Sequence, residues 1–269
     1  MQKVSDSIGD LSCWQKLRHR ALLVWHRLCG RDYGITVPML GHPVTLLISN
    51  GRELKRVAEV SYEGLFLGRI LERLRPGDVF FDIGANIGLV SLIVSTLPQF
   101  AGGVIHAFEP EPRNLDHLRR NFEVNRLQER AFAHGVALSR AEGMASLFVR
   151  GATGDGRHSL VSTKGARGTV EVQVTTVSHF CEKQHVLPTV IKIDVEGAEG
   201  AVLAGMEGLL TRGRPRDLFM EIHNKGGEDR MPDGSLIDGW LEERGYLRLW
   251  EERRGHGRHR HYRDRAAVD

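Results

Sequence analysis

Three carboxylates, Asp194, Glu196 and Glu199, fall in the stretch VIKIDVEGAEGAVLAGM, behind an apolar run and ahead of a small-residue segment with helical spacing. Carboxylates so placed can hold a hard cation, take a proton from a substrate, or stabilise the positive end of a helix. The run VIKIDV reads as a buried strand, so Asp194 stands at its carboxyl end, where an open parallel sheet faces its ligand crevice. Glu196 shares the parity of Asp194 if the strand extends that far, whereas Glu199 belongs to the first helical turn. A further strand, LFMEIH, carries Glu221 and His223 on one face, with His223 at its end. An imidazole with the ordinary pKa near 6.5 suits general-base work at neutral pH. Lys192 has the parity of Asp194 and is expected to pair with Asp194 or Glu221, since a buried ammonium is tolerated chiefly in an ion pair.

A second group lies upstream. In FFDIGANIGLVSL an apolar strand ends in Asp82, turns through Gly84, Asn86 and Gly88, and enters a helix. Glycines let the chain turn tightly and a ligand approach the backbone, and the helix start offers unpaired N–H groups. The spacing is G-x-N-x-G and not the dinucleotide fingerprint G-x-G-x-x-G, which argues for a different nucleotide-like ligand. Twenty-one residues after Gly88, the strand VIHAFEP ends in Glu109. An acidic side chain at that spacing can accept hydrogen bonds from both ribose hydroxyls.

Positioning these residues requires short apolar strands alternating with helices, and from Val79 onward the chain supplies them: VFFDIG then LVSLIVSTL, VIHAFEP then PRNLDHLRRNFEVN, VIKIDVEG then AEGAVLAGMEGLL, LFMEIH then SLIDGWLEERG. This is the pattern of a doubly wound α/β fold, a mostly parallel sheet of seven strands with helices on both faces. Ala131 to Leu138 reads as one more strand, and YLRLWEE with HRHYRDR as a closing antiparallel hairpin. The basic residues of that hairpin read as a solvated sheet edge, in preference to a metal or nucleic-acid site. MASLFV and TVEVQV form a hairpin beside the Gly-rich loop at 151–168, which reads equally as a place for substrate contacts or as a plain exposed connector. The division expected is an amphipathic basic helix over 1–31, a β-rich lead-in over 32–61 and the main domain over 62–269.

The motifs YEG near Tyr62, FDIGANIG, HAFEPEPRNLDHLRRNFEVN, GVALS, IKIDVEGAE with VLAGM, and MEIH together resemble the FkbM family of class I S-adenosylmethionine (SAM) methyltransferases. The resemblance implies a Rossmann-like fold, SAM as cofactor with S-adenosylhomocysteine as product, and methylation of a hydroxyl on a natural product or sugar. It implies that Asp82, Gly84, Asn86 and Gly88 surround the methionine part of SAM. Glu109 would meet the ribose with Pro110 and Asn114 nearby, Ala137 the adenine edge, and Glu63 the amino-acid end. Asp194 would then look toward the methyl group and the acceptor, His223 would be the leading base and Glu196 the runner-up. Mg²⁺ on Asp194, Glu196 and Glu221 is the minority reading, because the spacing does not single out a metal site, and no residue is assigned as a metal ligand. One departure from the family stands at Thr176-Val177-Ser178, where the family carries Thr-Leu-Asp; Ser178 is expected to cap the helix in place of that aspartate. Alternative functions are an N- or carboxyl-methyltransferase on the same fold, or a SAM-binding scaffold for a biosynthetic partner.

Composition bounds the rest. The 269 residues are 41% hydrophobic, enough for one sizeable core, and 37 basic against 34 acidic residues leave only +3, too mild to predict nucleic-acid binding. Cys13, Cys29 and Cys181 are odd in number and far apart, which fits neither a disulfide framework nor a paired zinc site, so a reducing cytoplasm is the expected compartment. The run ALLVW is too short to span a membrane. The expected partner is a small-molecule or peptide-type acceptor, and the N-terminal helix offers a face for a second copy of the chain.

Overall fold

The computed structural model describes residues 32–39, 42–51, 53–54, 64–150, 158–160, 168–212, 214–223, 230–254 and 257–267. The expected helix over 1–31, Glu63 and most of the 151–168 loop lie outside the described residues.

A hairpin of β1 (Tyr33–Met39) and β2 (His42–Ile48) leads into α1 (Gly64–Arg73). The main sheet then begins with β3 (Val79–Ile83), followed by α2 (Leu89–Ser95), β4 (Val104–Phe108), α3 (Pro112–Val124) and β5 (Ala131–His134). A three-stranded sheet follows, with β6 (Ala137–Leu138), β7 (Gly143–Val149) and β8 (Gly168–Thr175) in the order β6-β8-β7. The chain returns through α4 (Val177–Gln184), β9 (Val190–Ile193), α5 (Glu199–Ala204), α6 (Glu207–Arg212) and β10 (Asp217–His223). It finishes with α7 (Ile237–Glu243), β11 (Tyr246–Arg254) and β12 (Gly257–Asp264). The main sheet has seven strands in the order β11-β12-β10-β9-β3-β4-β5. Its four central pairings from β10 to β5 are parallel, and β12 alone is reversed, antiparallel to both of its neighbours, β10 and β11. The fold is the doubly wound α/β expected from the alternation.

Strand alternation sends Phe80 and Val190 into one apolar layer with α1, α2, α3 and the lead-in hairpin, and Phe81, Ile83, Ile191 and Ile193 into the other with α4, α5, α6 and α7. Burying both faces is why these strands read as nearly continuous apolar runs. The lead-in hairpin is fastened to α3 by side-chain amides: Asn121 accepts from the Leu47 amide and donates to the Ile87 carbonyl, and Asn125 accepts from the Thr45 amide.

Three expectations change. The run 131–138 splits into β5 and β6 in different sheets, at Gly135, where a Cβ would stand 2.5 Å from Leu115. The single helix expected after the acidic stretch divides into α5 and α6 at Gly205, whose Cβ would stand 2.1 Å from the Ser139 carbonyl. The C-terminal basic strand is no solvated edge: β12 lies between β10 and β11, and Arg260 and His259 are buried. Its charges are tolerated there because each has a partner. Arg260 donates to Glu251 at 2.7 Å, His261 meets Asp217 at 2.8 Å and His259 stands 3.4 Å from Glu221.

Candidate functional site

β3 and β9 are hydrogen-bonded neighbours from which the chain winds in opposite directions, which makes their carboxyl ends the switch point where α/β sheets bind ligands. A cleft opens there, lined by Ile83, Phe108 and Asp194 at the ends of β3, β4 and β9. The turn after β3 shapes its floor. Gly84 has φ +77°, and a Cβ on it would fall 1.8 Å from the Asp194 carbonyl, so only glycine lets the two strand ends approach this closely. The Gly84 and Ala85 amides both donate to the Phe108 carbonyl at 3.0 Å, and the Asp194 amide to the Ile83 carbonyl at 3.0 Å, fixing the ends of β3, β4 and β9 together.

Glu109 lines this cleft, buried, with one oxygen accepting from the Asn86 amide at 2.8 Å and the other from the Glu111 amide at 2.9 Å. Burial pushes its carboxyl up to about 7, although the two amides pull the other way. Asn86, Pro110 and Ala137 also line the cleft, and Leu138 and Leu147 give it an apolar wall.

Three candidates are placed differently. Asp82 is fully buried beneath the turn, accepting from the Ser91 hydroxyl at 2.7 Å and paired with Lys192 at 3.1 Å. It does not line the cleft, nor do Gly88 and Asn114. Gly88, at φ +89°, ends the turn where a Cβ would stand 2.4 Å from Leu118 of α3, and Asn114 sits in the first turn of α3, its amide capped by Glu111 at 2.8 Å. Glu63 lies outside the described residues. Lys192 finds Asp82 before the partners expected for it: Asp194 is 3.5 Å away, the Gly84 carbonyl accepts from its Nζ at 3.0 Å, and Glu221 acts only through its field. Burial alone would lower the Lys192 pKa, but Asp82 and Asp194 raise it above the usual value.

The acidic stretch closes the other side of the cleft. β9 stops at Ile193, so the strand parity expected for Glu196 does not apply; Glu196 enters the site from a turn in which its own φ is +54°. Asp194 lines the cleft. Glu199 is the first residue of α5 and completely buried, and it does more than face the helix dipole: one oxygen accepts from the Gly197 amide at 3.0 Å and from His223 Nδ1 at 2.9 Å. The other ring nitrogen of His223 stands 3.6 Å from Glu196 and 3.7 Å from Glu221.

His223 is therefore not the imidazole of ordinary pKa that its strand-end position suggested. Burial would lower its pKa, but the Glu199 hydrogen bond and the charges of Asp194, Glu199 and Glu196 push it up to about 10. Glu221 is held below the usual carboxylate range: burial opposes this, and His259, His223 and Lys192 overcome it.

Sequence reasoning missed the segment His158–Leu160, whose three residues line the cleft, with the Ser159 hydroxyl donating to the Glu196 carbonyl at 2.7 Å. Only one of the two readings of the Gly-rich loop, as a place for substrate contacts, pointed there. The cap of α4 is also revised. Thr176 accepts from the His179 amide at 3.0 Å, while Ser178 lies inside the helix and accepts from the Leu209 amide of α6.

A family model described as the methyltransferase FkbM domain matches residues 82–248, more than half of the chain. This chain belongs to that family. It is a methyltransferase of the FkbM type, and the matched region contains the turn after β3, the acidic stretch and His223. It is 30% identical over 220 residues to the 31-O-demethyl-FK506 methyltransferase FkbM of Streptomyces tacrolimicus, covering 68% of this chain and 83% of that one. It is 29% identical over 184 residues to the hexuronic acid methyltransferase AglP of Haloferax volcanii, covering 68% and 72%. The crystal structure of methyltransferase FkbM from Methylobacillus flagellatus aligns over 80% of this chain and 56% of that one, at a TM-score of 0.48 and 16% identity. Among the described residues no helix is long and apolar enough to cross a membrane.

Proposed function

We propose that this FkbM-family chain is a SAM-dependent O-methyltransferase acting on a hydroxyl of a small molecule. The observation that carries the reading is the cleft at the β3–β9 switch point, which has a buried acid, Glu109, on one wall and the carboxylate of Asp194 on the other. These residues fit a SAM molecule. Glu109 keeps acceptor capacity for ribose hydroxyls after its two amide bonds, and the apolar wall of Ala137, Leu138 and Leu147 suits a purine. Bound SAM supplies an electrophilic methyl group on a sulfonium. The chain's own part is to align the acceptor, exclude water and accept a proton from the hydroxyl, and positioning alone lowers such barriers substantially.

Asp194 is the group suited to meet the acceptor hydroxyl, since it alone among the three carboxylates of the acidic stretch lines the cleft. His223, first expected as the base, already carries its proton at neutral pH, so its part becomes that of donor and counter-charge to Glu196 and Glu199. The two curated relatives support a small-molecule acceptor: one is named for a hexuronic acid, the other for oxygen 31 of demethyl-FK506.

Two measurements test this. Calorimetric SAM binding should weaken sharply in Glu109→Ala, and equal affinity in that variant would remove the ribose role. A panel of hydroxylated metabolites with isotopically labelled SAM should yield a product heavier by one methylene and labelled on oxygen. Label found only on nitrogen or carboxyl groups would overturn the O-methyl reading.

A further inference from the structure

We propose that Asp194, Glu196 and His223 form a binding site for a divalent cation of the Mg²⁺ and Mn²⁺ class. A carboxylate oxygen from each acid and a ring nitrogen of His223 lie within 4.8 Å of one another. Adjacent ligands of an ion bound at about 2.1 Å are roughly 3.0–3.5 Å apart. The 3.6 Å between Glu196 Oε2 and His223 Nε2 is already near that spacing, so a small rotation of half-buried side chains closes the triangle. The three ligands come from the end of β9, the turn beyond it and the end of β10, and Asp194 among them lines the cleft, which puts the ion at the cleft's edge.

Glu199, which is not one of the three, supplies an independent observation. An imidazole that ligates a metal through one nitrogen is almost always oriented by a carboxylate or carbonyl on the other. Glu199, completely buried, occupies that place on His223 Nδ1 at 2.9 Å, and this leaves Nε2 directed at Glu196 and Glu221. The second oxygen of Glu199 is buried without a hydrogen-bond partner among the described residues.

Charge points the same way. Asp194, Glu196, Glu199 and Glu221 all act on one imidazole, while Lys192 is shared between Asp194 and Asp82, and His259 stands on Glu221. Two oxygens and one imidazole nitrogen, without thiolate, suit Mg²⁺ and Mn²⁺ better than thiophilic ions. Glu221, a ligand in the minority reading of the sequence, is displaced from this role by its pairing with His259. Ligation releases the Nε2 proton to solvent, so ion and proton compete for the ring. What the ion does rests on the proposed function: in that cleft it would bind the acceptor oxygen and lower the pKa of its hydroxyl.

Chelator-treated protein without SAM, titrated with Mn²⁺ and followed by the electron paramagnetic resonance of the free ion, should bind one ion per chain, displaceable by Mg²⁺. Glu196→Gln and His223→Gln should abolish that binding, and Glu199→Gln should weaken it about 10- to 100-fold. Thermal melts confirm that each variant is folded, and Glu196, in a turn, serves if the His223 variant is not. Wild-type protein that binds no Mn²⁺, or variants that bind it as wild type does, would overturn the site. SAM affinity measured on the same samples separates the two ideas: intact SAM binding without Mn²⁺ binding removes the cation alone.

Discussion

Histidines meet opposite treatment on the two sides of this sheet. On β10, His223 has Glu199 on one nitrogen and Glu196 and Glu221 near the other, and is pushed up to about 10. On β4 and β5, His106 and His134 share one hydrogen bond of 3.0 Å, stack on each other and pack against Phe180; burial pushes both down to about 4, with His106 and Arg119 adding to the effect on His134. All three occupy apolar strands in similar local sequence, VIHAF, AFAH and MEIH. The difference is made by what crosses over from other elements. α5 brings Glu199 to the first histidine, and α4 brings Phe180 to the other two. One side holds charge and can do chemistry; the other is neutral and holds the fold.

The sharpest way to test this contrast is to neutralise the charged side. Asp194→Asn and His223→Gln should each lower kcat by roughly 10²- to 10⁴-fold in a labelled-methyl assay. His134→Phe, on the aromatic side, should leave the rate unchanged. Full activity in His223→Gln would remove that residue from the chemistry, and full activity in Asp194→Asn would favour a carboxyl acceptor, which needs no base.

Next in size is stability on the same charged side. Lys192→Met leaves Asp82 buried without its cation, and breaking a buried pair in this way costs about 3–5 kcal/mol, readable as a lower urea midpoint. An unchanged midpoint would mean that the charges are not buried as described.

The aromatic side should declare itself with pH. Folded His106 and His134 have pKa values near 4 against an ordinary 6.5, so below about pH 6.5 the unfolded chain binds protons first. Stability should therefore fall as pH drops from about 6.5 to about 4, by roughly 2 kcal/mol in all once the partial exposure of the rings is discounted. The double variant His106→Phe with His134→Phe should flatten that part of the curve in chemical denaturation. Smallest is Thr176→Ala, which removes the cap of the helix carrying Phe180 and should cost about 1 kcal/mol, seen as a modest drop in Tm.

Much of this molecule was legible along the chain because its strands are short, apolar on both faces and end in chemistry-bearing residues. Asp194, Glu109, Gly84 and His223 were visible at strand ends for that reason. What stayed hidden depends on partners distant in sequence. Nothing local to GAEG foretold that Glu199 would orient an imidazole twenty-four residues away, or that Lys192 would choose Asp82 on the neighbouring strand. The C-terminal basic strand misled for the same reason, since a run of arginine and histidine looks solvated until Glu251, Asp217 and Glu221 are brought to it. The turn at Glu196 defeated parity because a positive φ ends the strand rule before the residue is reached.

The contact at Gly84 has a consequence for redesign. With its missing Cβ set against the Asp194 carbonyl, the turn after β3 and the acidic turn after β9 behave as a single part, so an engineer cannot adjust one without moving the other. New acceptors would have to be admitted elsewhere, through His158–Leu160 and the sheet of β6, β7 and β8, where the wall can be recut while the reacting centre stays in register.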